Sequence, residues 1–441
     1  MKFTTKRIAD GISLSVMPSD KFKAGVIALS LTVPLTRKGS AYNHILSGLL
    51  RRGTRKYPDM SSLNRRLDEL YGSYVEIKSN HVGNNLSLSF VCEILDNKYI
   101  PDGTDTLGGV IDIVADMLLH PLFSDESFDS AIFDQEIRVI LDALNAEINN
   151  TRAYAIKRCA ELMFESYEDY PTVAETKQIV ADATLEDLRA HYRALISEAP
   201  LEVFYIGATD ADTVSSALLE SFGSAHFGKE QRICKASPIS RESFAEACEK
   251  MPVSQGKLAM CFSTHTSLSS DSDDYYVALM LNEIFGGSAS SKLFLNVREK
   301  MSLCYYCSSS FSTYSGIMTV SSGIEVKNFA VVRAAVIDQL EQIRKGNISE
   351  SELYAAKRSI ENAYRQLYDS PFDLQSFYSG RMLFGISETI EDCREKLMAV
   401  SREQIVTLAK KVTLDALFFV EGTACGDEDG DEDGDEEGDD E

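Results

Sequence analysis

The sequence predicts an α+β protein built as two similar domains, and three observations carry that expectation. Runs of period two alternate along the chain with runs of helical period. The order of these elements returns from Gly256 onward. Matching segments are offset by roughly 215–235 residues, too long for a solenoid repeat. With 441 residues and 44% hydrophobic content the chain has enough apolar material for a core, and it exceeds one ordinary domain.

Strand-like runs at Ile12–Val16 and Gly25–Val33 open the first half. A helix follows near Tyr42–Arg52, where Ile45, Leu46, Leu49 and Leu50 share one face. A second helix, Met60–Tyr71, leads through Gly72 into alternating Tyr74–Lys78 and Leu86–Cys92. Helices are expected at Gly109–Leu119 and, with a possible break, Phe128–Phe164. The capping residues Thr184-Leu-Glu-Asp187 start another. Leu201–Ile206 is an apolar strand, and the amphipathic stretch Asp210–Phe222 closes this half. In the second half, Lys257–Phe262 is a strand and Asp274–Phe285 a helix. Helix Lys292–Lys300 then leads to strands Leu303–Phe311 and Gly316–Glu325. Helices Phe329–Lys345, Ser349–Tyr368 and Ser401–Lys411 precede a last strand, Ala416–Val420. Local pairs support the repeat: Leu67-Asp-Glu-Leu-Tyr71 beside Val297-Arg-Glu-Lys-Met301, and Phe204-Tyr-Ile-Gly207 beside Phe418-Phe-Val-Glu-Gly422. The expected division is 1–225, a polar linker at 226–255, 256–424, and an acidic tail at 425–441.

Charge narrows the function classes. The chain holds 44 Lys and Arg against 68 Asp and Glu, a formal net charge of −24, and 12 of the acids lie in the last 16 residues. The rest is still acidic, which disfavours nucleic acid and anionic lipid as partners. The tail repeats Gly-Asp-Glu-Asp and is expected to be disordered; it lacks the flanking helix and terminal Glu of a calcium loop. No run is long and apolar enough for a membrane span, and the N-terminus alternates instead of forming a signal h-region. Nine scattered cysteines, without a disulfide framework, point to reduced thiols and a cytoplasmic location.

The candidate site lies at Ala41-Tyr-Asn-His-Ile-Leu-Ser-Gly-Leu-Leu-Arg-Arg-Gly-Thr54. This stretch resembles the helix of the pitrilysin/insulinase metallopeptidase family, which carries an inverted zinc motif, His-x-x-Glu-His. Residues four apart share a helix face, so two imidazoles grip one zinc while the Glu activates its water. Matched residue by residue, His44 keeps the first ligand position, Ser47 replaces the general base, and Gly48 replaces the second His. The family's last ligand is a Glu on a later helix; the corresponding run is Glu136-Ile-Arg-Val-Ile-Leu-Asp142-Ala143, with Asp142 or Glu147 as substitutes. A catalytic zinc takes three protein ligands and a water, so the expectation is no metal and no cofactor, with His44 a partly buried, hydrogen-bonded histidine. His81 reads as a turn residue beside Gly83.

A second stretch keeps the family pattern. Asn282-Glu-Ile-Phe-Gly-Gly-Ser-Ala-Ser-Ser-Lys-Leu-Phe294 and Val297-Arg-Glu-Lys-Met-Ser-Leu-Cys-Tyr305 look like the family segments whose Arg and Tyr face the zinc and hold the substrate backbone. The resemblance places those roles on Arg298 and Tyr305, with Ser302 where the family has Gly. Guanidinium and phenol both donate to peptide carbonyls without a metal. Gly286-Gly287 reads as a turn rather than a phosphate loop, as no Gly-Lys-Ser/Thr follows. Cys304 and Cys307 fall in an alternating strand, three apart and therefore on opposite faces, which argues against a redox pair.

The resemblance implies domains of the metallohydrolase-like, LuxS/processing-peptidase type, each a mainly antiparallel sheet with helices on one face, arranged as a clam shell. It also implies a catalytically inactive subunit that pairs with a zinc-bearing peptidase homologue, or with itself, and helps bind peptide. In this it is similar to peptidase-like proteins associated with elongation factor P modification. Two other readings are an active metallopeptidase with a rebuilt site (His44, Asp142 or Glu147, and His81) and a non-enzymatic peptide-binding scaffold.

Overall fold

The computed structural model describes residues 3–423 apart from 125–127, 231, 236, 271 and 272; the acidic repeat at 425–441 lies outside the described residues. The first sheet contains β1 (Thr4–Ala9), β2 (Ile12–Pro18), β3 (Ala24–Pro34), β4 (Tyr74–Val82), β5 (Asn85–Leu95) and β6 (Leu201–Gly207), ordered β1-β2-β6-β3-β5-β4. The second contains β7 (Ala245–Met251), β8 (Gly256–Ser263), β9 (Cys304–Phe311), β10 (Ile317–Ile324) and β11 (Thr413–Gly422), ordered β7-β11-β8-β10-β9. With β1 set aside, the two orders are the same. In each, the first strand runs parallel to the last (β2 with β6, β7 with β11) and every other pair is antiparallel. The two domains are therefore topological twins.

The second domain begins earlier than the sequence suggests. The 226–255 segment contains β7, which pairs with β11 from Ala245 to Met251. Its inward positions are Ala245, Ala247, Glu249 and Met251, so little apolar signal marks the period of an edge strand whose other face is exposed. The predicted long helix is broken as expected, into Ser130–Ala146 and Thr151–Phe164. Three helices escaped the pattern reading: Val173–Ala181, Pro371–Leu383 and Ile390–Ala399.

Each sheet buries one face under its own helices, with Ile27, Leu29, Leu88 and Phe90 in the first core and Leu258, Met260, Phe262 and Val320 in the second. On part of each remaining face a helix of the other domain is packed. Helix Thr151–Phe164 leaves the first domain and sets Ala155, Cys159 and Met163 on Ala259, Cys261, Phe418 and Val420 of the second sheet. Helix Pro371–Leu383 returns the favour, packing Leu374 and Tyr378 on Met17, Phe204 and Ile206 of the first. Burying such a side chain is worth about 1.5–3 kcal/mol, and the exchange ties the domains together. Each sheet thus carries its own domain's helices on one face and is met on part of the other by a helix of the other domain.

Candidate functional site

The helix Arg37–Leu49 carries the degenerate motif. Thr36 caps it, its hydroxyl accepting from the Gly39 amide at 3.0 Å. Ala41, Tyr42, Ile45, Leu46 and Leu49 face the core, which turns His44, Ser47 and Gly48 toward the other side. His44 is exposed, against the expectation of a partly buried ring with satisfied nitrogens. Crowding by surrounding atoms nonetheless pushes its pKa down, partly opposed by the carboxylates of Glu136 and Glu147, while Lys157 lowers it further. The Ser47 hydroxyl donates to the His44 carbonyl at 2.8 Å; it is bonded to the backbone of its own helix.

Gly48 is where the arrangement departs most from a metal site. A Cβ there would stand 2.0 Å from Glu136 Oε1 and 2.6 Å from its Cδ. Glu136, only 6% exposed, fills the space beside the helix and is held by Arg52, one turn on, through Nη2 at 2.6 Å and Nε at 2.9 Å. A carboxylate locked by a guanidinium thus occupies the surroundings of the position the second imidazole would need. The remaining candidates are elsewhere. Asp142 is exposed. Glu147 binds Lys157 through both oxygens, at 2.8 and 2.7 Å. His81 lies within β4, two residues before the Gly83-Asn84 turn, and its Nε2 meets the Ser40 hydroxyl at 2.8 Å. Among the described residues no three His, Cys, Asp or Glu side chains come together to hold a metal ion. The residues present do not fit a catalytic zinc, and a rebuilt site from His44, Asp142, Glu147 and His81 is not assembled.

The second stretch is built differently from the turn and plain helix the sequence suggests. Glu283–Gly287 and Leu293–Lys300 are π-helical. Gly286 is pressed against β9, where a Cβ would meet the Ser309 amide nitrogen at 2.6 Å; Ser309 in turn donates to Asn282 Oδ1 at 2.8 Å. Arg298 lays its guanidinium over the Phe294 ring, 4.6 Å from the centroid, and meets Glu299 at 3.5 Å. Ser302, in the family's glycine position, takes a left-handed φ of +50°. Between β9 and β10 the register slips: Tyr306 faces Gly323, but Cys304 faces Ile324. Tyr305 is the extra residue of a β-bulge, thrown outward and 56% exposed. Among the described residues, no hydrogen bond or ion pair links Arg298 or Tyr305 to the helix of His44.

Glu136 opens the later-helix run but has no role in the zinc motif as the sequence carries it. The available signal was Arg52, one turn beyond a glycine on the same helix face. The bulge at Tyr305 had no signal in the residue pattern.

These features define a class: a two-domain α+β scaffold in which no set of metal ligands is assembled among the described residues. Residues 182–360 match the peptidase M16 inactive domain. The chain is 28% identical over 417 residues to a probable inactive metalloprotease, YmfF, of Bacillus subtilis (strain 168), covering 94% of this chain and 96% of that protein. Its structure is similar to that of a conserved protein from Enterococcus faecalis V583, with a TM-score of 0.86 and 27% identity over 97% of this chain and all of the other. The fold is also that of a peptidase M16 inactive domain from Pseudomonas fluorescens, with a TM-score of 0.77 at 15% identity, covering 96% of this chain and 99% of the other. The chain is thus similar to a peptidase M16 inactive domain over residues 182–360 and to a probable inactive metalloprotease over most of its length.

Proposed function

We propose that this protein is the non-catalytic member of a two-chain peptidase and supplies Arg298 and Tyr305 to peptide held against a zinc-bearing homologue. The observation that carries the reading is a contrast between the two stretches. Where the metal would be, Glu136 and Arg52 take the space beside Gly48, and Ser47 is bonded to its own helix. Where peptide would be held, Tyr305 projects outward on a bulge and Arg298 remains 40% exposed. Both side chains donate hydrogen bonds to carbonyls. The partner of this reading is a chain with an intact His-x-x-Glu-His helix; a second copy of this chain would bring no zinc. Free thiols at all eight described cysteines favour a reducing, cytoplasmic setting, and no described helix is long and apolar enough to cross a membrane.

The test is reconstitution with such a homologue from the same cell. Arg298→Ala and Tyr305→Phe should leave complex formation intact and lower peptide turnover by about tenfold or more, the scale of a lost charge-assisted hydrogen bond. Unchanged turnover by a complex of normal stoichiometry would remove the proposed role.

A further inference from the structure

The bulge that exposes Tyr305 also changes the relation of two thiols. In an unbroken strand Cys304 and Cys307 would point to opposite faces, with Cα atoms about 10 Å apart at ~3.3 Å per residue. The extra residue switches Cys304 to the face of Cys307. The partners across the ladder show it, for Cys307 lies opposite Ser322 and Cys304 opposite Ile324, both buried toward the helices. Cys307 is a member of the second core and Cys304 packs against it. The two sulfurs are also unequal. Cys307 is 2% exposed, whereas Cys304 is only half-buried and open to solvent on one side.

We propose that Cys304 and Cys307 are a thiol-exchange site that takes oxidising equivalents from small disulfides, Cys304 attacking and Cys307 resolving. The electrostatics support that division of labour. The Cys307 thiol, hydrogen-bonded to the Cys304 sulfur, pulls the Cys304 pKa down to about 7 against the cost of burial, with help from Ser322 and the Arg298 charge. The same contact, with burial, drives the Cys307 thiol well up. At neutral pH a large share of Cys304 is therefore thiolate, the nucleophilic form.

The chemistry balances in two exchanges. The Cys304 thiolate attacks one sulfur of R–S–S–R, forming the mixed disulfide Cys304–S–S–R and releasing RS⁻, which takes the proton Cys304 had given up. Cys307 then attacks the Cys304 sulfur and expels the second RS⁻, which accepts the Cys307 proton. Two protein thiols become one disulfide, and one small disulfide becomes two thiols. Closing the bond requires Cα atoms within about 7 Å, so the bulge must tighten, and Tyr305, its extra residue, is one of the two residues between the cysteines. An effect on peptide binding would rest on the role proposed above for Tyr305; the exchange chemistry does not.

Both cysteines lie in one tryptic peptide, 301–327, which holds no other cysteine, so the intact protein can be assayed by mass. The full chain is incubated with glutathione disulfide at pH 7, quenched with iodoacetamide, digested and weighed. The expected product is peptide 301–327 lighter by two hydrogens and unalkylated, forming faster than any adduct on the exposed Cys234 and Cys248. In Cys307→Ser the glutathione adduct should persist on Cys304. Alkylation of Cys304 should show a rate midpoint near pH 7 in the folded chain, and that advantage over Cys234 should vanish in urea. Doubly alkylated peptide 301–327 while Cys234 carries glutathione would overturn the proposal. So would a Cys304 midpoint above about 8, the range of an ordinary thiol.

Discussion

Replacing Gly48 by Ala tests how fully the metal position is filled. In a free helix the change would stabilise by about 1 kcal/mol, the difference in helix propensity. Here the new methyl would meet Glu136 Oε1 at 2.0 Å, Cδ at 2.6 Å and Cγ at 3.1 Å, so the carboxylate must swing away. The ion pair it leaves is substantially buried, with side-chain exposures of 24% for Arg52 and 8% for Glu136, and breaking such a pair costs about 3–5 kcal/mol. The expected net loss is about 2–4 kcal/mol, read as a lower urea midpoint by circular dichroism. The same substitution in a Glu136→Ala background should recover the helix gain of about 1 kcal/mol, giving a coupling of at least about 3 kcal/mol in the double-mutant cycle. If Gly48→Ala stabilised equally in both backgrounds, the space would be open and the reasoning wrong.

Three further outcomes follow from the geometry. His191 donates from Nε2 to Asn43 Oδ1 at 2.8 Å, and burial, with a smaller push from Lys38, depresses its pKa to about 4. The neutral form is favoured on folding, so stability should be full above about pH 6.5 and fall by about 2–3 kcal/mol toward pH 4, with His44 and His81 acting in the same direction; His191→Gln should flatten the profile in pH-dependent urea melts, and an unchanged profile would contradict it. Ser302→Gly relieves a left-handed φ of +50° and should stabilise by about 0.5–1 kcal/mol in thermal unfolding; a lower Tm would contradict it. Leu374→Ala should cost about 2–5 kcal/mol and raise amide exchange across β2 and β6, where helix Pro371–Leu383 docks; protection unchanged in those strands would mean the exchanged helix does not hold the first sheet.

Much of this architecture is legible in the residues because period is a local property. Alternation in Leu86–Cys92 and the apolar stripe of Ile45, Leu46 and Leu49 each report a buried face without reference to the rest of the chain. The twin topology was visible as a recurring order, and it reappears as a shared strand order. What escaped depends on partners distant in sequence. Strand β7 shows little apolar period because its inward face carries Ala245, Ala247 and Glu249, and only its pairing with β11 makes it a strand. Helix Pro371–Leu383 is defined by a sheet of the other domain. The site was legible in what it lacks, since Ser47 and Gly48 are read directly from the chain. What fills it was not, because Glu136 reaches Gly48 across 88 residues of sequence. Nor does residue type reveal the bulge that exposes Tyr305 and brings Cys304 onto the face of Cys307.

The central claim is that this scaffold offers a divalent cation one imidazole and no companions. Equilibrating the purified full-length chain with excess zinc, desalting it and measuring metal by mass spectrometry tests that claim most directly. The account predicts well under one zinc per chain, unchanged in His44→Ala. One tightly retained zinc per chain, lost in His44→Ala, would contradict it.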